Sequence, residues 1–201
     1  MLKRIIDHPW FIWGLLAIPS VPMVAALASG QLGPEGQPAT KFLLHPTGEF
    51  SARFMIISMV LTPLRMLFPG NKFWRWMMRR RRYFGLAAFA YAALHTVLYV
   101  IDMGNLNAIL VDALQLGIWT GWAAMFIFIP LAVTSNDYAT RRLGPIWKSL
   151  QQFVYAAAFG TILHWIFVNN TLGPALVHFA PLAILTAYRI WKMTPAQSPS
   201  A

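Results

Sequence analysis

Apolar positions gather into six continuous blocks of about 20 residues, the length a helix needs to cross roughly 30 Å of hydrocarbon at 1.5 Å per residue. They run over residues 10–28, 50–68, 83–101, 116–133, 150–168 and 172–191, with short polar connections between. Transmembrane β-strands would be only about 10 residues long and would alternate polar with apolar. The pattern therefore predicts an all-α protein: a polytopic six-helix transmembrane bundle, one domain over residues 1–201. The first block holds Pro19 and Pro22 and lacks a small-residue cleavage site. It reads as a retained helix rather than a signal peptide.

Composition agrees with a membrane protein. The chain is 58% hydrophobic and only 11% charged, whereas a soluble domain is about a quarter charged. Net charge is +10, which raises the question of nucleic acid. Placement answers it. Lys3 and Arg4 precede the first block; Lys72, Arg75 and Arg79 to Arg82 fill the second connection. Arg141, Arg142 and Lys148 fill the fourth, and Arg189 and Lys192 end the last block. The first, third and fifth connections carry only Lys41 among cations, beside Glu35, Asp102 and Asp112. That alternation is the positive-inside pattern, and it puts both termini in the cytoplasm and makes the lipid bilayer, not nucleic acid, the partner of these charges.

Cysteine is absent, so thiolate iron–sulfur ligation, disulfides and a covalently attached c-type haem are excluded. No glycine-rich dinucleotide fingerprint and no P-loop occur, so the chain does not bind NAD(P)H or ATP in the usual way, and any electrons must come from a partner protein or a small carrier.

The chemistry concentrates on two histidines inside apolar blocks, His95 and His164. Ionisable residues within a membrane span are expensive and mark function by default, and imidazole is the commonest protein ligand of haem iron. The third and fifth spans travel in the same direction. His95 then lies roughly 10 Å from the outer surface and His164 about 8 Å from it. Level imidazoles on two helices can clamp one flat macrocycle edge-on. Thr161, Gly160 and Ala157 line one helix face beside His164; Ala92 and Ala88, with Tyr91 and Tyr99, surround His95. Such small residues leave room for a ring, or simply permit close helix packing. Each histidine could equally be a polar core residue bonded to a backbone carbonyl. His178 is also level, at about 9 Å. His45 falls in the outer loop before the second span, and His8 sits at the cytoplasmic edge; these three rank below the pair.

Two other groups of cations invite ligands. The inner cluster of Arg79 to Arg82, Arg141, Arg142 and Lys148 could hold a flavin phosphate, or serve only topology and lipid headgroups. Arg53 lies level with the histidine pair, where a haem propionate would suit it; snorkelling to headgroups accounts for it equally well.

Several stretches carry a family resemblance. They are His45-Pro46-Thr47-Gly48, Leu61-Thr62-Pro63-Leu64, Arg81-Arg82-Tyr83-Phe84-Gly85-Leu86, Ala93-Leu94-His95 and Thr134-Ser135. Further along come Arg142-Leu143-Gly144, Trp147, Leu150, Phe153-Val154-Tyr155 and Ile162-Leu163-His164. In this order the chain resembles the haem-binding membrane subunits of the bacterial periplasmic methionine-sulfoxide reductase system, the MsrQ or YedZ family of the ferric-reductase-like transmembrane group. The resemblance implies a b-type haem on His95 and His164, an associated flavin mononucleotide (FMN) near Arg81, Arg82 and Arg142, and residence in the bacterial inner membrane. It implies electrons from the quinone pool or a cytoplasmic flavin reductase, passed to a periplasmic molybdenum-containing reductase. Gln151 stands where the family usually has a histidine, and Arg82 where two-haem relatives place another. The expectation is one haem.

Three classes of function stay open at this point. The first is a membrane electron-transfer subunit of that system. The second is another respiratory cytochrome b or a ferric-reductase core. The third is a small transporter or structural membrane protein.

Overall fold

The computed structural model describes residues 2–194, with side chains from Ile5 onward. Lys3 and Arg4, topology signals in the sequence, thus have side chains outside the described set. Among the described residues the regular structure is entirely helical. The order is α1 (Leu2–Asp7), α2 (Pro9–Ala17), α3 (Ser20–Ala28), α4 (Ala39–Phe42), α5 (Leu44–Leu67), α6 (Lys72–Arg79) and α7 (Arg81–Met103). There follow α8 (Leu106–Asp112), α9 (Leu116–Val133), α10 (Asp137–Leu143), α11 (Pro145–Gln152), α12 (Val154–Asn169) and α13 (Gly173–Met193).

Four long helices form the centre. α5 packs most extensively on α7, and α9 on α12; α13 lies outside against α5, and α2 against α7. Ala52, Ala157 and Ala175 are fully covered where helices meet, since small residues let helix backbones approach closely. Successive central helices run in opposite directions. The starts of α5 and α9 and the ends of α7 and α12 therefore share one end, which carries the two histidines. The opposite end carries the basic connections.

Among the described residues, three helices are long and apolar enough to cross a membrane: Ala39–Leu67 (α4 with α5), Arg81–Met103 and Leu116–Val133. A fourth arises if α2 and α3 count as one span. That first block is not a single straight helix as expected; it bends by 53° between Pro9–Ala17 and Ser20–Ala28. Pro19 sits at the break, with no N–H to donate and a ring that clashes with the preceding turn. The Tyr91 hydroxyl crosses from α7 and donates to Leu16 O at 3.1 Å, steadying the bend. The fifth block is also divided: the chain turns at Phe153, so α12 has 16 residues and Leu150 belongs to α11. His45 is corrected too. It lies in the first turn of α5, not in a loop, because a proline next to it (Pro46) is tolerated in a first turn, whose N–H groups have no helical acceptor.

Arg80 leaves the inner cation cluster for a structural post. It is 7% exposed, donates to Asp7 Oδ1 at 2.9 Å and Ile6 O at 3.2 Å, and lies 4.0 Å over the Trp76 ring. This ties α1 to the α6–α7 corner. Replacing Arg80 by Ala should lower stability by about 2 kcal/mol, the scale of a hydrogen bond to a charged partner. Arg80→Lys should not restore it, since an ammonium neither stacks nor forks like a guanidinium. Thermal unfolding in detergent measures both, and an unchanged midpoint for Arg80→Ala would show that the corner needs no such tie.

Candidate functional site

His95 on α7 and His164 on α12 face each other at the histidine end. Their ring centroids are 6.0 Å apart and their planes nearly perpendicular, at 85°. Each ring is oriented from behind by a backbone carbonyl. His95 Nδ1 donates to Leu44 O at 2.9 Å, and His164 Nδ1 to Gly117 O at 2.7 Å. A carbonyl only accepts, so the proton sits on Nδ1 in both rings. The lone pair of each neutral imidazole is then on Nε2, the ligating arrangement that such backbone partners impose on metal-bound histidines.

Room for the rings comes from glycines across the helix interface. A Cβ on Gly121 of α9 would stand 2.6 Å from His164 Nδ1; one on Gly48 of α5 would stand 3.1 Å from His95 Nδ1. Gly117 and Gly121 form a small-x-x-x-small notch on α9, the kind that admits a close neighbour in membrane helices. Sequence reasoning passed over this notch and looked to each histidine's own helix. Of those residues, Ala92, Thr161 and Tyr99 do line the cavity beside the pair, whereas Gly160 is packed against Ala124 and the Thr120 carbonyl. Tyr91 is buried towards α2.

The cavity between these walls measures about 530 Å³. Gly48, Gly121, Trp122, Met125 and Trp165 line it, and Lys41, His45, Glu49 and Asp102 stand on its polar walls. Among the described residues no group of three or more His, Asp or Glu is placed to hold a bare metal ion. Two opposed imidazoles suffice when a planar macrocycle provides the remaining ligands. The two Nε2 atoms, left open by the backbone carbonyls on Nδ1, would hold the metal of such a group, and the 6.0 Å ring separation fits that use. Arg53 is not on the cavity wall. Its guanidinium is held by Glu49 at 2.6 Å, and Lys41 is the cation that lines the cavity.

A second cavity of about 350 Å³ lies at the basic end of the same four helices. Its floor is apolar, with Met55, Phe89, Phe128 and Leu131; Arg79, Arg81, Arg82, Lys148 and Arg189 surround it, with no carboxylate among its lining residues. Arg189 arrives from α13, a contribution invisible in the local sequence, and donates to Tyr155 OH at 2.7 Å. Arg142 does not line this cavity, since it lies on the short α10 beyond the bundle. Arg82 is shared with Asp137 at 2.6 Å; that guanidinium's hydrogen bond, then its charge, holds the Asp137 carboxyl below the usual carboxylate range. Gln151 also lines the cavity, its amide donating to Leu131 O and Thr134 Oγ1, both at 3.1 Å. Phe128 borders both cavities.

The ferric reductase like transmembrane component family matches residues 47–162. The heme-binding subunit MsrQ of the protein-methionine-sulfoxide reductase of Brucella anthropi is 35% identical over 194 residues, covering 95% of this chain and 85% of that protein. Its counterpart from Brucella ovis is 34% identical over 187 residues, covering 92% and 82% respectively. The chain belongs to the MsrQ family. No solved structure matches it. The ferric-reductase match spans Gly48, His95, Gly121 and Gln151 and stops two residues before His164. The MsrQ relatives extend the likeness over almost the whole chain.

Proposed function

We propose that this chain is the membrane electron-transfer subunit of a methionine-sulfoxide reductase system, with His95 and His164 as the axial ligands of a single b-type haem. The observation that carries the reading is the opposed pair, with both Nε2 atoms free, in a chain of the MsrQ family. Haem bound there supplies one-electron chemistry inside the bundle. The chain's own part is to fix both tautomers through Leu44 O and Gly117 O, to make room through Gly48 and Gly121, and to offer Lys41 to the acidic edge of the ring.

The basic-end cavity suits FMN: cations for its phosphate, an apolar floor for its ring. Arg81 and Arg82 serve there with Arg79, Lys148 and Arg189 in place of Arg142. Gln151 is committed to α9 and is a poor iron ligand, which supports one haem rather than two. Phe128 would be the packed side chain between the two redox sites. The charge alternation supports six spans in a bacterial inner membrane, both termini and the basic end facing the cytoplasm. Electrons then enter at the basic end from quinol or a flavin reductase. They leave at the histidine end to a periplasmic molybdenum-containing reductase.

The ferric-reductase match supports a second reading, in which a metal chelate is the acceptor. Vesicles of known orientation separate the two. A donor confined to the basic face should reduce the haem, and the purified periplasmic reductase on the opposite face should reoxidise it. Reoxidation by a ferric chelate but not by that enzyme would transfer the chain to the second reading. Reduction only from the histidine face would reverse the topology.

A further inference from the structure

His178 on α13 has two neighbours at one nitrogen that require opposite protonation states. Its Nδ1 lies 2.8 Å from Pro174 O, so that nitrogen carries a hydrogen. Its Nε2 lies 3.4 Å from Arg53 Nε, a donor, and 3.3 Å from Glu49 Oε1, an acceptor. Neutral His178 takes the hydrogen bond from Arg53. Protonated His178 donates to Glu49 instead. Arg53 NH2 is also on Glu49 at 2.6 Å, a bond that does not use His178 and so does not require either of its charge states. Imidazole is the side chain whose charge ordinarily changes between pH 5 and 8.

The cluster adjoins the histidine-pair cavity. Glu49 lines the cavity directly. The His178 ring lies on the Trp165 indole, 4.9 Å between centroids and 35° between planes, and Trp165 lines the cavity next to His164. From α5 the charged or titratable groups facing His178 are Glu49 and Arg53, with His45 edge-on to Trp165 at 6.3 Å. From α12 the neighbour is the uncharged Trp165. On α13 itself, Arg189 is about three turns away. Lys41, Tyr99 and Asp102 stand on other walls of the cavity.

We propose that His178 is the proton-accepting group of this electron-transfer site, a reading that rests on haem occupying the cavity. Were haem in this cavity reduced by one electron from a quinol or flavin donor, His178 would take one proton from water at the histidine end. The added negative charge favours imidazolium, and Glu49 receives its new N–H. On reoxidation the electron passes to the acceptor and the proton returns to water. Reduction of a sulfoxide to a sulfide consumes two protons with its two electrons and releases water, so protons set free at this end serve the acceptor's chemistry.

The test is a spectroscopic redox titration of the purified haem-loaded protein between pH 5 and 8. One proton per electron makes the midpoint potential fall by up to about 59 mV per pH unit, the tenfold constant for a one-electron couple. His178→Gln should flatten the dependence while leaving the haem spectrum intact. Glu49→Gln, which keeps an acceptor oxygen but removes the carboxylate charge that favours imidazolium, should shift the sloping region to lower pH. A flat wild-type potential, or a His178→Gln variant with the wild-type slope, overturns the proposal. A protein that binds no haem at all overturns instead the function on which it rests.

Discussion

Replacing either His95 or His164 by alanine should strip the haem from the protein. Each variant removes one Nε2 lone pair, and a single remaining imidazole holds the iron from one side only. Loss of a ligand's hydrogen-bonded support alone costs about 10–100-fold in metal affinity, so loss of the ligand itself should exceed that range. The fold should survive. Both rings are half-buried at a cavity rather than packed into the core, and the Leu44 carbonyl keeps the Thr47 hydroxyl at 2.9 Å after His95 is gone. The measurement is the haem-to-protein ratio with a reduced-minus-oxidised spectrum. His178→Ala and His45→Ala should retain both, since His178 Nε2 is engaged by Glu49 and Arg53. If both members of the pair can be replaced with the spectrum unchanged while His178→Ala loses it, the ligands are misassigned.

Much of this arrangement was legible in the sequence, and the misses have physical causes. The block at 116–133 coincides with α9 because its apolar run is bounded by Gln115 and by the Thr134 turn. The second block was read as starting at Phe50, yet α5 begins at Leu44. His45-Pro46 looks like a loop, but a first helical turn accommodates proline at no hydrogen-bond cost. The histidine pair stood out because an imidazole in an apolar run needs a reason, and equal depth along two helices carried over directly into a 6.0 Å pair. What surrounds the pair was harder to see. The room for each ring lies on the partner helix, Gly48 for His95 and Gly121 for His164, and register between helices is not written in either one. The Gly117-x-x-x-Gly121 spacing was the available signal. At the basic end, Arg81 and Arg82 were found as neighbours in sequence. Arg189 reached the same cavity only through the packing of a helix a hundred residues later, and Arg80 was diverted by Asp7.

That reliance on the facing helix makes Gly121→Ala the most informative single change outside the ligands. The new methyl carbon would stand 2.6 Å from His164 Nδ1 and 2.9 Å from Cε1, closer than side-chain carbons pack. The imidazole must move, and it has little freedom to do so. Gly117 O, one turn earlier on the same helix, holds Nδ1 at 2.7 Å, so a displaced ring loses that bond and turns Nε2 away from its partner across the cavity. Haem affinity should fall by about 10–100-fold, the cost of losing a ligand's supporting partner. The helix itself gains, because alanine is favoured over glycine in a helix interior by up to about 1 kcal/mol. That gain is offset by the lost His164–Gly117 hydrogen bond, worth about 1 kcal/mol, so thermal stability should stay close to that of the parent chain while haem binding falls, a signature that general unfolding does not produce. Gly48→Ala, with its nearest contact at 3.1 Å to His95 Nδ1, should weaken binding less, since a shift of a few tenths of an ångström relieves it. Gly14→Ala, which meets nothing within 4 Å, should change nothing at the site. Haem titration of the three variants alongside thermal unfolding gives the comparison. If Gly121→Ala binds haem as tightly as the parent chain, the notch on α9 does not hold His164, and the ligand geometry must be set from elsewhere on the cavity wall.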